Sequence, residues 1–251
     1  MEKTVIRAED VGLRFRLRLE RRPTLKSLVA KGKNPLKKRG EFWALRDVSF
    51  SVKQGETLGV VGANGSGKST LLRVIGGVYP PDEGLVSAEG RVSTLLSLTA
   101  GVQPELSGME NVSLIGMMMG VPVRSIKSNL DKIVEFADIG RFINAPVKTY
   151  SSGMMARLGF AIAAHLECDV LLIDEILGVG DKEFRKKSQE KIRELLGENR
   201  TVVLVSHNLE AIREFSSSCL WLDKGEVRAL GKPDDVLTAY QQDAPATPAR
   251  A

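Results

Sequence analysis

Three features of this 251-residue sequence predict an α/β fold with a largely parallel core sheet. First, short unbroken apolar runs at residues 57–61, 170–173 and 201–205 read as strands buried on both faces. Second, stretches with helical apolar spacing at 152–166, 182–196 and 209–215 alternate with those runs, which is the pattern of a parallel sheet covered by helices. Third, a glycine-rich loop leaves the first buried strand and opens a helix over 68–75, placing a phosphate-binding turn at the edge of that sheet.

Taken in chain order, residues 5–15 read as a strand, and a basic arm follows it. Within the arm, Thr24 after Pro23 would cap a short helix over 24–30, and Pro35 and Gly40 close the segment. Residues 48–52 alternate with a period of two, and Gln54-Gly55 turns the chain into the buried strand at 57–61. Two more short strands are expected at 85–88 and 91–96. The stretch 110–142 reads as helical, with punctuation at Gly120-Val121-Pro122 and at Gly140; its apolar residues Ile126, Leu130, Ile133, Val134 and Ala137 recur at helical spacing. A hairpin over 220–229 turns on Asp223-Lys224-Gly225, and a last helix covers 233–240. Residues 1–242 are expected to form one unit, and the Ala- and Pro-rich tail 243–251 to be disordered.

Eleven of the 36 basic residues lie between Arg14 and Gly40, opposed only by Glu20, so the rest of the chain is mildly acidic despite a formal net charge of +5. A localised basic arm suits contact with phosphate groups, whether of lipid headgroups or of nucleic acid; a solvated charged loop is the plainer alternative. No stretch reaches the ~18 apolar residues that a membrane-crossing helix needs, and the N-terminus lacks a signal-peptide core. Cys168 and Cys219 both sit in apolar surroundings and read as buried thiols rather than a disulfide or metal site.

Gly62-Ala63-Asn64-Gly65-Ser66-Gly67-Lys68-Ser69-Thr70 fits the P-loop pattern of a nucleoside-triphosphatase. The glycines let successive backbone N–H groups face phosphate oxygens, and the helix N-terminus adds partial positive charge. Lys68 can reach the β- and γ-phosphates of ATP, and Ser69 can ligate Mg²⁺. Asp174, at the end of the apolar run 170–173, is placed to hold the same Mg²⁺, and Glu175 to polarise an attacking water as general base. Acidic residues after a strand are common helix caps, so the pair carries weight through its combination with the loop.

Tyr150-Ser151-Ser152-Gly153-Met154 resembles the ABC signature, usually Leu-Ser-Gly-Gly-Gln, with Gly153 21 positions before Asp174. His207, closing the strand 201–206, resembles the switch histidine of ABC ATPases, and Gly178-Val179-Gly180-Asp181 stands at their D-loop. The resemblance covers nearly the whole chain. It implies an ABC-type ATPase with an antiparallel β subdomain, a helical subdomain at about 103–165, and an ATP-sandwich homodimer. In that sandwich Ser151, Ser152 and Gly153 of one copy face the γ-phosphate bound by the other, and Asp181 lies at the interface. His165 reads as structural. Phe15 matches the place of the adenine-stacking aromatic, and Trp43 is the alternative. The Q-loop glutamine has no clear counterpart between Leu95 and Gln103.

Tyr150, Ser152 and Met154 depart from the usual signature. Together with Gln103-Pro-Glu-Leu-Ser-Gly-Met-Glu-Asn111, Ile173-Asp-Glu-Ile-Leu-Gly-Val-Gly-Asp181 and Phe42-Trp-Ala-Leu-Arg-Asp-Val-Ser-Phe50, they are similar to the Wzt-type polysaccharide-export ATPases. That branch serves O-antigen, capsule and teichoic acid. Its O-antigen members carry an insertion with a short helix between the first two strands, matched here by residues 16–42. The resemblance implies a polytopic membrane permease as partner, a lipid-linked polysaccharide as cargo, and a peripheral place on the cytoplasmic face of the inner membrane. The C-terminal carbohydrate-binding domain of some members is expected to be absent. A soluble ABC ATPase acting on nucleic acid is the rival from another class, disfavoured because such chains usually hold two cassettes or a long coiled coil. A module that binds nucleotide without turnover is disfavoured by Glu175 and His207.

Overall fold

A computed structural model describes residues 3–17, 40–94, 101–174, 181–197 and 200–243. Two sheets organise the chain. Strands β1 (Thr4–Leu17), β2 (Gly40–Lys53) and β4 (Glu83–Ala88) form an antiparallel sheet in the order β2-β1-β4. Strands β3 (Thr57–Val61), β5 (Val92–Thr94), β6 (Val170–Asp174), β7 (Thr201–Val205), β8 (Ser218–Asp223) and β9 (Glu226–Gly231) form the second, in the order β5-β6-β7-β3-β8-β9. All its pairings are parallel except β8 with β9.

The apolar runs become central strands because both faces are covered. β3 and β7 are buried along their whole length. Alternate residues of β6 divide between two cores: Val170 and Leu172 join one, Leu171 and Ile173 the other. Helix α1 (Lys68–Ile75) lies between the sheets, with Leu71, Leu72, Val74 and Ile75 in the first core beside Leu45, Val48 and Phe50 of β2. Each such side chain contributes about 1.5–3 kcal/mol by leaving water.

The second core is helical. Helices α2 (Gly108–Met118), α3 (Val123–Ala137) and α4 (Ser152–His165) pack there with α5 (Lys182–Gly197), α6 (Leu209–Phe215) and α7 (Pro233–Asp243). Phe136, Phe160 and Phe184 meet at ring separations of 5.7–6.0 Å, joining α3, α4 and α5. Cys168 and Cys219 are free and buried, and burial pushes the Cys219 thiol up to about 12.

Several boundaries differ from the sequence reading. β2 begins at Gly40, well before the expected 48, because it pairs with β1 from Leu17↔Gly40 onward. Asp47, at φ 50°, breaks the alternation midway, so periodicity exposes only the second half of the strand. α2 starts at Gly108, ahead of 110, since Ser107 and Glu110 form a capping box. α3 ends at Ala137 because Asp138 takes a left-handed conformation, φ 49°, leaving Gly140–Asn144 as a 3₁₀ turn. The expected helix at 24–30, most of the basic arm, the end of the strand expected at 91–96 and tail residues 244–251 lie outside the described residues.

Asn111, fully buried, fastens the loop ahead of α2. Its Nδ2 donates to the carbonyls of Gln103, Leu106 and Ser107 at 2.9–3.2 Å, and its Oδ1 accepts from the Gln103 N–H at 2.7 Å. Asn111→Ala removes four hydrogen bonds and the acceptor of the Gln103 N–H, while the three carbonyls keep their backbone donors. It is expected to lower unfolding free energy by about 2–4 kcal/mol, read as a shifted denaturant midpoint at unchanged slope.

Candidate functional site

The glycine-rich loop leaves β3 with a backbone that only glycine fits at two points. Gly62 has φ 150°, and a Cβ there would lie 2.1 Å from the Leu222 carbonyl oxygen. Gly67, the N-cap of α1, has φ 109°, and its Cβ would lie 2.6 Å from the Ala44 carbonyl oxygen. The loop is also bonded from outside: the Gly225 N–H donates to the Ser66 carbonyl at 2.9 Å, and the Arg46 N–H to the Gly225 carbonyl at 2.8 Å. Lys68, only 7% exposed, turns its ammonium into the loop and donates to the carbonyls of Gly62 (2.8 Å) and Ala63 (2.9 Å).

This loop floors a cleft of about 470 Å³, within the size range of small-ligand sites. Asn64, Gly65, Gly67, Lys68, Ser69 and Thr70 line it from the loop and α1, Asp174 from the end of β6, and His207 from just beyond β7. Phe15, Phe42 and Trp43 line it from β1 and β2. With Lys224 from the turn between β8 and β9, the structure gathers residues from six separate segments. Gly62, Ala63 and Ser66 belong to the loop but do not line the cleft. Glu175 and Gly178, Val179 and Gly180 lie outside the described residues.

Both candidate aromatics face the cleft, in different surroundings. The Phe15 ring is braced by Phe42 at 5.8 Å and edge-on by Tyr79 at 5.7 Å. The Trp43 ring carries the Arg14 guanidinium at 4.8 Å from its centre. Sequence reasoning missed Phe42, Ala44 and Lys224 as cleft residues. Phe42 lies beside Trp43 in a strand begun earlier than expected. Lys224 occupies the hairpin turn with φ 50°, a rare conformation for a long side chain.

Ser151, Ser152 and Gly153 are not part of the cleft wall. They open α4, where the Ser151 Oγ caps the helix by accepting from the Met154 N–H at 3.2 Å. Asp181 accepts from the Phe184 N–H at 2.9 Å, capping α5, and pairs with Arg157. Those two contacts, the backbone one first, hold its carboxyl below the usual carboxylate range. His165 is set against Phe136, ring centres 4.9 Å apart, with Nδ1 2.9 Å from the Ala161 carbonyl; burial lowers its pKa. Gln103 is exposed and tied through its backbone to Asn111, away from the cleft, and residues 95–100 are outside the described set.

The donor set fits Mg²⁺. Ser69 and Asp174 bring a hydroxyl and a carboxylate oxygen to the cleft in which Lys68 lies, and such hard oxygen donors suit an ion whose remaining ligands are waters and phosphates.

The family profile described as "ABC transporter" matches residues 45–178. The teichoic acids export ATP-binding protein of Staphylococcus saprophyticus is 39% identical over 237 residues, covering 94% of this chain and 88% of its own length. Its counterpart in Lactococcus lactis is 44% identical over 240 residues, covering 96% of this chain and 51% of that protein. The O-antigen export system ATP-binding protein of Myxococcus xanthus is 42% identical over 212 residues, covering 84% and 48%. The chain thus spans about half the length of these last two relatives. Among solved structures, an ATP-binding cassette captured as a dimer after hydrolysis, with ADP and Pi, superposes with a TM-score of 0.70 at 22% identity. That superposition covers 91% of this chain and 98% of the cassette, a likeness of fold. An ATP-binding subunit of an ABC transporter gives 0.73 at 21%, covering 96% and 95%. The glycine loop, the strand-end acid and this shared sequence together establish that the chain belongs to the ABC transporter family.

Proposed function

We propose that this chain is the ATP-hydrolysing subunit of an exporter that moves a lipid-linked polysaccharide, of the O-antigen or teichoic-acid kind, through a partner permease. The observation that carries the reading is the convergence of Lys68, Ser69, Asp174 and His207 on one cleft. Relatives at 39–44% identity that serve teichoic-acid and O-antigen export support the cargo class.

Nucleotide phosphates are held by the loop N–H groups and Lys68, and Phe15 stacks on the base. We assign the base to Phe15 because its ring is braced by Phe42 and Tyr79, whereas Arg14 occupies the Trp43 ring. Ser69 and Asp174 would hold Mg²⁺, which when bound would supply charge neutralisation on the β- and γ-phosphates. Glu175, one residue beyond Asp174, orients the water and takes its proton, while His207 senses the γ-phosphate. Ser151, Ser152 and Gly153 serve the nucleotide of a second copy, and Asp181 lies near the same junction. ATP binding closes this homodimer and hydrolysis reopens it.

Among the described residues no helix is long and apolar enough to cross a membrane, so the reading requires a separate permease, with this chain peripheral on the cytoplasmic face. The arm between β1 and β2 is assigned to the anionic pyrophosphate of the lipid carrier. Export relatives weigh against nucleic acid as its target.

Glu175→Gln is expected to retain ATP binding and lower phosphate release at least ~100-fold; an unchanged rate removes Glu175 as base. Phe15→Ala should weaken nucleotide binding about tenfold in a fluorescence titration, and Trp43→Ala less; the reverse order transfers the base to Trp43. Replacing Arg21, Arg22, Lys37 and Lys38 together by Glu should reduce polysaccharide export in cells, and intact export refutes the role given to the arm.

A further inference from the structure

Tyr150 stands immediately before Ser151, where the family's signature usually has Leu, and the structure surrounds it with specific contacts. Its hydroxyl donates to the Phe142 carbonyl at 2.6 Å. The phenol lies against Gly108, where a Cβ would come within 2.3 Å of the hydroxyl oxygen. The chain leading to Tyr150 is itself fastened to the loop ahead of α2. The Val147 N–H donates to the Leu106 carbonyl and the Lys148 N–H to the Pro104 carbonyl, both at 2.9 Å. Lys148 pairs with Glu105, and Ser107 bridges to Pro146. Asn111 locks that loop from inside.

The backbone is therefore pinned up to the residue before Ser151, whose Oγ already accepts from the Met154 N–H. Gly153 and Ser152 follow in the first turn of α4 and inherit that direction. A Leu side chain would fill space at this position without a donor. Burial raises the Tyr150 pKa, which keeps the phenol protonated and able to donate at neutral pH. The Phe142 carbonyl also accepts from the Ala145 N–H at 2.8 Å, so removing the Tyr150 hydroxyl leaves that acceptor partnered and costs, beyond the bond to Phe142, only the hydrogen bond between the phenol and the Gly108 backbone.

We propose that Tyr150 is a positioning residue: its hydrogen bond to the Phe142 carbonyl fixes the direction in which Ser151 and Gly153 face the nucleotide bound by a second copy of the chain. This rests on the ATPase reading given above. Tyr150 does not line the cleft of its own copy, so its effect belongs to turnover in the closed dimer and not to binding in its own P-loop.

The test uses the purified full chain and follows phosphate release together with binding of a fluorescent ATP analogue, for Y150F, G108A and the double variant. Y150F is expected to lower kcat about fivefold, the worth of one ordinary hydrogen bond, with analogue affinity and thermal midpoint close to wild type. G108A, whose methyl group would displace the hydroxyl, should lower kcat at least as much. The double variant should be no slower than G108A alone, because the group in conflict is gone. Wild-type turnover with an unaffected Y150F overturns the role of Tyr150 alone. So do effects of Y150F and G108A that multiply, or a loss of affinity that matches the loss of kcat. A wild-type chain that releases no phosphate overturns the ATPase reading, and the role of Tyr150 with it.

Discussion

Backbone contact around Gly62 and Gly67 is the constraint from which the site follows. The Leu222 carbonyl lies 2.1 Å from any Cβ at Gly62, and the Ala44 carbonyl 2.6 Å from any Cβ at Gly67. Side chains at those two positions would push β8 and β2 away from the loop. With glycine there, the Gly225 N–H reaches the Ser66 carbonyl, and the Gly225 carbonyl accepts from Arg46. Three segments distant in sequence become one body. The aromatic residues on β1 and β2 are thereby set at a fixed distance from Lys68, although they belong to the other sheet.

Strand order supplies the remaining geometry. β7 lies between β6 and β3, so Asp174 and His207 leave adjacent strands on the same side as the glycine loop. The register Asp174↔Val205 puts His207 two residues beyond the partner of Asp174. Crossover connections in parallel sheets carry successive strand ends to one edge, which is why ligands gather there. The signature takes no part in that edge. It opens α4 in the helical lobe, separated from the cleft of its own chain.

How much of this is legible from the sequence depends on the range of the interaction. The bounds of α1 and α6 follow directly from local signals, the glycine loop for one and the Asn208 cap for the other, which accepts from the Glu210 and Ala211 N–H groups. β2 is only half visible, because the left-handed Asp47 shifts its alternation and the pairing that extends it comes from β1. Lys68, Ser69 and Asp174 are readable as a set since strand and loop patterns carry them. Phe42 and Lys224 reach the cleft through the contact of two hairpins, which no periodicity encodes. The same limit applies to Tyr150: a departure from the family pattern is visible in the sequence, but the carbonyl it grips is set by tertiary packing.

Arg157 links three segments of the second core. Its side chain, 19% exposed, reaches Asp138 at the end of α3 at 3.3 Å, pairs with Asp181, and lies over the Phe184 ring at 5.0 Å. Asp181 is the first described residue after the stretch containing Glu175, and Arg157 is six positions past Ser151 on the same helix. One planar cation thus restrains both the helix that begins with the signature and the chain emerging beyond β6. The planar fork of arginine can offer separate N–H groups to the two carboxylates while its face lies on the ring, a geometry a compact ammonium does not reproduce. The guanidinium thus ties the helix that opens at Ser151 to the start of α5 at residue 181.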